Sequence, residues 1–421
     1  MNAMRRLVGW LGVAVWLVSA TDACAASTEW HRWRGPDLNG VSKERMWTTA
    51  WPAAGPRVLW KAAVGTGFSA VSAAGGRVFT MGNDNDRESV FCFEAGTGKQ
   101  VWKYTYSCEI DPRFYEGGPS ATPTVDGENV YTLSRKGHLL CFDAATGRVN
   151  WQTNVNDELG LQKFKEETPE WGYAGSPLVL GNTLIVNVGT AGAAFHKANG
   201  QLIWRTGGTA AGYSTHVPCK VGRSDVLVVA AAKSITALGA KDGKTLWEFP
   251  WVTSYDVNAA DPIVVGNKVF ISSGYGRGCA LLQFNGSLVS KIWENKNLRN
   301  QFNASVLYGG HLYGFDGNHG DKNSSLRCVE FETGKLKWTE PTIKPGGLMV
   351  ADGRLIILAE NGELIVAPVS GSAFQPMARA QVLGGKCWTV PVLHNARIYC
   401  RNSRGDLVCL DVQGRPVPAT P

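Results

Sequence analysis

Charge is scarce in this sequence. Only 18% of its 421 residues are Asp, Glu, Lys or Arg, against 44% that are hydrophobic, a balance that excludes a disordered chain. The formal net charge is +7, and the basic residues form no stripe, so nucleic acid is not an expected partner. No two of the ten cysteines stand in a CxxC pair, which excludes a zinc knuckle and a CxxCH haem site, and no two are adjacent. Beyond residue 20 no apolar run is long enough to span a bilayer. Helical periodicity is also missing, apart from a stretch at Asp157–Glu167.

What is plentiful is glycine, with 50 residues, and tryptophan, with 16. Glycine without a G-X-Y period argues for many tight turns rather than collagen. At the N-terminus Arg5 and Arg6 precede an apolar stretch from Leu7 to Ala20, followed by Ala23-Cys24-Ala25. These are the three parts of a secretory signal peptide, so residues 1–25 read as a leader and the protein as periplasmic or secreted.

One segment recurs along the chain. Glu94-Ala-Gly-Thr-Gly-Lys-Gln-Val-Trp102 is followed by Asp143-Ala-Ala-Thr-Gly-Arg-Val-Asn-Trp151, and shorter copies end at Trp204, Trp247, Trp293 and Trp338. An orphan copy ends at Trp60, and a copy lacking Trp falls near Ala380. Successive tryptophans lie 42 to 53 residues apart. Each interval holds four short alternating strands, clearest from Ser120 to Trp151, with turns at Asp126-Gly127, Lys136-Gly137 and Thr146-Gly147. Four-stranded units at this period are propeller blades. Eight sets give an all-β, eight-bladed β-propeller over residues 58–421, preceded by an extension at 26–57. The orphan strand at Val58–Trp60 is expected to complete the last blade, whose other strands come from the C-terminus, and so to close the ring. Cys92, Cys141, Cys328 and Cys409 recur at one strand position and read as core residues.

The [DE]xxTGxxxW pattern, full at Trp102 and Trp151, resembles the tryptophan-docking repeat of the quinoprotein (PQQ-like) β-propellers, which include quinoprotein alcohol dehydrogenases and BamB-like envelope proteins. Trp33-Arg-Gly-Pro-Asp-Leu-Asn-Gly40 resembles the opening of exported members of that group. The resemblance covers Trp30 to Val412 and implies the fold. For activity it implies either a protein-docking scaffold or an alcohol dehydrogenase holding PQQ and Ca²⁺. The adjacent-cysteine disulfide that covers the quinone in those enzymes has no counterpart here, and no motif specifies either group.

In such a ring the loops leading into each innermost strand meet around the central channel. They carry Glu116, Trp171, Tyr173, Tyr213, Asp256, Asn258, Arg299, Asn303, Lys386 and Trp388. Carboxylate, guanidinium, amide and aromatic groups around one concavity suit a polar organic ligand, and a sugar or polyol is the leading expectation. If the funnel catalyses, Asp256 or Glu116 is the base, and Arg299 with Lys386 would hold developing negative charge. Trp171, Tyr173, Tyr213, Asn258, Asn303 and Trp388 would then bind the ligand. No metal ligand is assigned. A monomer is expected, with a small polar ligand or an envelope protein as partner.

Overall fold

In the repeated turn, a glycine with positive φ lets the chain reverse and leaves room for a tryptophan of the preceding blade. Gly147 has φ +73°, and a Cβ there would lie 2.6 Å from the Trp102 ring. The Trp102 indole then donates to the Ala144 carbonyl at 3.0 Å. The same bond to the following blade is made by Trp60, Trp151, Trp204, Trp293 and Trp338, at 2.8–3.1 Å. Trp60, Trp102, Trp204 and Trp247 are buried, while Trp151, Trp293 and Trp338 are partly exposed at the outer rim. Trp247 is the exception in bonding: its buried indole N–H has no partner, and the hairpin it faces in the next blade carries Asn285-Gly286 in place of the usual turn.

The computed structural model describes residues 29–161 and 168–414, so the leader read at 1–25 lies outside them. Eight antiparallel sheets form the predicted eight blades, seven of them four-stranded. Blade 1 holds strands Ser72–Ala74, Arg77–Asp84, Arg87–Glu94 and Gln100–Ser107. Blade 8 joins the two ends of the chain: Arg57–Ala63 pairs antiparallel with Asp406–Asp411, Val58 opposite Leu410 and Trp60 opposite Cys409. The N-terminal strand thus closes the ring as its sequence position predicts. Arg401, fully buried, reinforces this seam by donating to the carbonyls of Ser69 at 2.9 Å and Gly65 at 3.0 Å. The 157–167 stretch contributes only a short helix, Val155–Leu159, stopped by Gly160 in the left-handed conformation, with 162–167 outside the described residues.

The segment before the closure strand has a structure that the repeat does not foretell. It crosses the channel at the end opposite the site loops. Trp30 bridges Ala73 of blade 1, and the His31 carbonyl accepts from Val125 N of blade 2 at 2.7 Å. Arg34, fully buried, donates to the carbonyls of Ala304 (3.2 Å) and Ser305 (2.8 Å) in blade 6. Val41–Ser42 then pairs parallel with Val350–Ala351, giving blade 7 a fifth strand. Glu44 accepts from Asn395 N of blade 8 at 2.9 Å. Gly35, at φ +80°, permits the tight course, since a Cβ there would strike the Trp30 ring at 2.6 Å. Residues 30–44 therefore act as a plug.

Candidate functional site

Above the plug, the loops leading into the innermost strands surround a cavity of about 430 Å³. Its wall is mostly aromatic: Phe68, Tyr115, Trp171, Tyr213, Tyr255, Phe302 and Trp388 come from the inward loops of every blade but the seventh. Tyr275 and His319 come from the second set of loops, and Trp33 rises from the plug as the floor. The rings contact one another, Phe68 stacking on Trp388 at 5.2 Å and Phe302 meeting Trp388 at 4.6 Å. Exposure falls with depth, from 97% at Phe114 and 61% at Tyr255 on the rim to 7% at Asp261, 4% at Thr215 and 3% at Ser176. The opening is apolar and the bottom is polar.

A girdle of hydrogen bonds fixes that bottom. At equivalent positions two residues ahead of the innermost strands, Ala70 N donates to Thr122 Oγ1 (3.2 Å), Thr122 N to Ser176 Oγ (2.9 Å) and Ser176 N to Thr215 Oγ1 (2.9 Å). In blade 5 the position is a carboxylate: Thr215 N donates to Asp261 Oδ1 at 2.7 Å. The other oxygen of Asp261 accepts the Trp33 indole N–H at 2.6 Å and lies 3.8 Å from Arg34 Nε. Burial pushes the Asp261 carboxyl above the usual range, while Arg34, Thr215 N–H and the indole pull it back. Asn303 continues the ring, its amide donating to Gly346 O (2.8 Å) and Trp388 O (2.6 Å).

The ten residues singled out from the sequence separate here. Trp171, Tyr213, Asn303 and Trp388 line the cavity. Lys386 lies 4.4 Å over the Trp388 ring and is ion-paired with Glu116 at 3.0 Å, so these three form one cluster at the mouth. Burial raises the Glu116 carboxyl, but the bonds from Lys386, its own backbone N–H and Ser403 outweigh this and hold it below its ordinary value. Arg299 is turned to Asp316, with a two-pronged bond of 2.8 and 2.6 Å, and Arg327 reaches the same carboxylate at 3.0 Å. Asp256 faces Lys233 at 3.4 Å on the outside, with φ +54° directing its side chain away while Tyr255 and Val257 face the cup. Tyr173 is buried and donates to Asn156 Oδ1 at 2.6 Å. Asn258 is buried, its amide donating to the carbonyls of Ala231, Ala232 and Trp251. His216 is likewise enclosed, 2.8 Å from Ala191 O, and burial lowers its pKa to about 4.

Sequence reasoning missed Trp33, Asp261 and the pair formed by His319 Nδ1 and Glu360 Oε1, whose carboxylate also accepts the Trp388 indole at 2.8 Å. Asp261 carried a signal, as an acid at a position held by Thr or Ser in the three preceding blades. The quinone-and-calcium arrangement fits poorly. Asn258 is buried with its Oδ1 accepting the Ser273 hydroxyl at 2.7 Å, and Glu116 is committed to Lys386. Among the described residues no group of three or more His, Cys, Asp or Glu could hold one ion.

A family profile described as outer membrane protein assembly factor BamB matches residues 42–161 and, overlapping them, 86–340. The chain belongs to this BamB family. Within it, the outer membrane protein assembly factor BamB of Yersinia pestis is 23% identical over 68% of this chain and 72% of its own. The crystal structure of BamB from Moraxella catarrhalis superposes with a TM-score of 0.61 at 14% identity, covering 85% of this chain and 99% of that one. The quinohemoprotein alcohol dehydrogenase of Comamonas testosteroni reaches 0.66 at 12% identity, covering 94% and 82%. The likeness to these two structures is one of fold. The BamB-type ring is common to a protein-assembly factor and a quinone enzyme, so the site has to distinguish between them.

Proposed function

We propose that this BamB-type propeller is a docking scaffold of the cell envelope, working in the periplasm, and that its partner is an envelope protein met at the open face of the cup. The observation that carries this reading is how the mouth is composed. The groups a catalytic reading would use, Glu116, Lys386, Arg299 and Asp256, are held in ion pairs. The rim presents exposed ring surface at Phe114 and Tyr255. Exposed rings over a rigid concavity favour recognition over proton transfer. The relatives named as outer membrane protein assembly factors support the choice of partner, and the leader read at residues 1–25 supports the compartment.

Photo-crosslinkers placed at Phe114 and Tyr255, with Leu288 on an outer strand as control, test it in the native envelope. Rim-specific adducts to an outer-membrane assembly component, together with reduced outer-membrane protein levels in a deletion strain, are expected. Adducts of equal yield from Leu288, or an unaltered outer-membrane protein profile, would reject the scaffold.

A second reading, a carbohydrate-like or polyol ligand in the cup, is favoured by one specific observation: hydroxyl and carboxylate oxygens lie beneath aromatic faces.

A further inference from the structure

We propose that the plug turns the channel into a blind binding site for an uncharged, hydroxyl-bearing ring of the pyranose kind, with Trp33 as its floor contact and Asp261 as the residue that positions Trp33. The proposal rests on the second reading above and adds to it a floor, a charge class and a residue set. Because residues 30–44 cross the far end of the channel, a ligand can enter only from the aromatic rim and must end against the Trp33 indole.

The charge class follows from pairing. The two acid or guanidinium side chains of the cavity lining each have a counterpart, Arg113 with Asp111 at 2.9 Å and Asp261 with Arg34, while His319 Nδ1 is bonded to the Glu360 carboxylate. An ionic ligand would be desolvated against groups already neutralised, which disfavours it. An uncharged ring meets no such cost and gains aromatic faces on every side.

The hydrogen-bonding groups select among uncharged rings. Ser176 and Thr215 each accept a backbone N–H through the hydroxyl oxygen, which leaves each O–H free to donate into the cup. The Asn303 amide N–H groups are committed to two carbonyls, which leaves its Oδ1 as an acceptor. The cup therefore offers both donors and an acceptor among its ring faces. A ring with C–H faces and hydroxyl edges satisfies both features. A phenyl or indole side chain of a partner peptide would satisfy the faces alone and leave buried hydroxyls unmatched.

Asp261 stands where the three preceding blades carry Thr122, Ser176 and Thr215. A hydroxyl there would accept the one blade-to-blade N–H, whereas the carboxylate also accepts the indole. The acid at this position is what ties the Trp33 indole to the ring.

The test is calorimetry and saturation-transfer NMR on the purified protein. The probes are cellobiose and N,N′-diacetylchitobiose, with glucosamine and glucuronic acid as charged counterparts. Saturable binding of a neutral disaccharide is expected, with the charged sugars at least tenfold weaker. Trp33→Ala and the wall variant Trp171→Ala should each weaken binding tenfold or more, Trp171→Ala at unchanged melting temperature. Trp33→Phe and Asp261→Asn should each give a smaller loss, and the double variant no more than the larger single one, a coupling that general destabilisation would not produce. Disaccharide binding that is undiminished in both Trp33→Ala and Trp171→Ala would overturn the blind site while leaving carbohydrate binding intact. Failure of every sugar to bind the wild type, with a Phe-containing tripeptide amide binding instead, would overturn the second reading itself.

Discussion

Two sets of tryptophans divide the labour of this molecule. Trp60, Trp102, Trp151, Trp204, Trp247, Trp293 and Trp338 sit on outer strands, packed against the next blade, and six of them donate to its backbone. Trp33, Trp171 and Trp388 stand around the axis and line a cavity. The chemistry of the side chain is identical in both sets. The first is repeated because every blade boundary poses the same packing problem. The second is irregular because a single cavity needs different groups on different sides.

The strongest way to break this division is truncation. Trp102→Ala removes a buried side chain and leaves a void, so unfolding free energy should fall by ~3–5 kcal/mol in denaturant titration. Trp171→Ala should cost under ~1 kcal/mol, because its ring faces open space. Equal losses would erase the distinction.

Two glutamates sharpen the contrast between inside and mouth. Glu116 is ion-paired at the mouth and held below its ordinary value, whereas Glu88 is fully buried in blade 1. Burial raises Glu88 to about 7, against smaller opposing effects of Tyr106, Cys108 and Arg135. A carboxyl raised on folding leaves stability untouched below its unfolded value, near 4.5, and removes stability as pH rises from there through about 7. Glu88→Gln should therefore match the wild type at pH 4 and exceed it at pH 8 by up to ~3 kcal/mol, read as a widening gap in melting temperature. A gap that narrows towards alkaline pH would contradict this.

A finer comparison lies within the outer set. Trp102→Phe removes the shorter of two donors to the Ala144 carbonyl, leaving Arg77 Nη1 at 3.3 Å, while Trp247→Phe loses no hydrogen bond. The first should cost ~1–2 kcal/mol more in chemical denaturation. The smallest effect belongs to the mouth. Lys386→Ala should change stability by less than ~1 kcal/mol, while an NMR titration finds the Glu116 carboxyl moved up towards its ordinary range.

The ring was legible in the sequence because it is periodic. The blade count, the turn glycines and the closure by Val58–Trp60 all follow from a pattern repeated along the chain. The cup was legible only in part. Aromatic residues in the inward loops announced a lined cavity, and Trp171, Tyr213, Asn303 and Trp388 are in its wall. Tyr173, Asn258, Asp256 and Arg299 are not, since the loop position of a residue does not fix which way its side chain turns. A positive φ at Asp256 and a buried partner for Arg299 are tertiary outcomes. The plug occurs once and has no period, so only its opening motif could be noted.

The way blade 8 is assembled has a consequence for how the protein comes to be folded. Arg57 meets Asp411, and Trp47 bridges Gln413, across almost the whole length of the chain. Blades 1 to 7 can each pair their four antiparallel strands locally as they emerge. The eighth cannot exist until the last strand has been synthesised and has found a partner made near the beginning. Until then the nascent protein is an open arc with exposed edges at both ends, and the entropy of bringing those ends together is met only in the final step. Truncation from either terminus should therefore act on a shared event, leaving an arc prone to pair with other chains, whereas lesions in a middle blade should act locally.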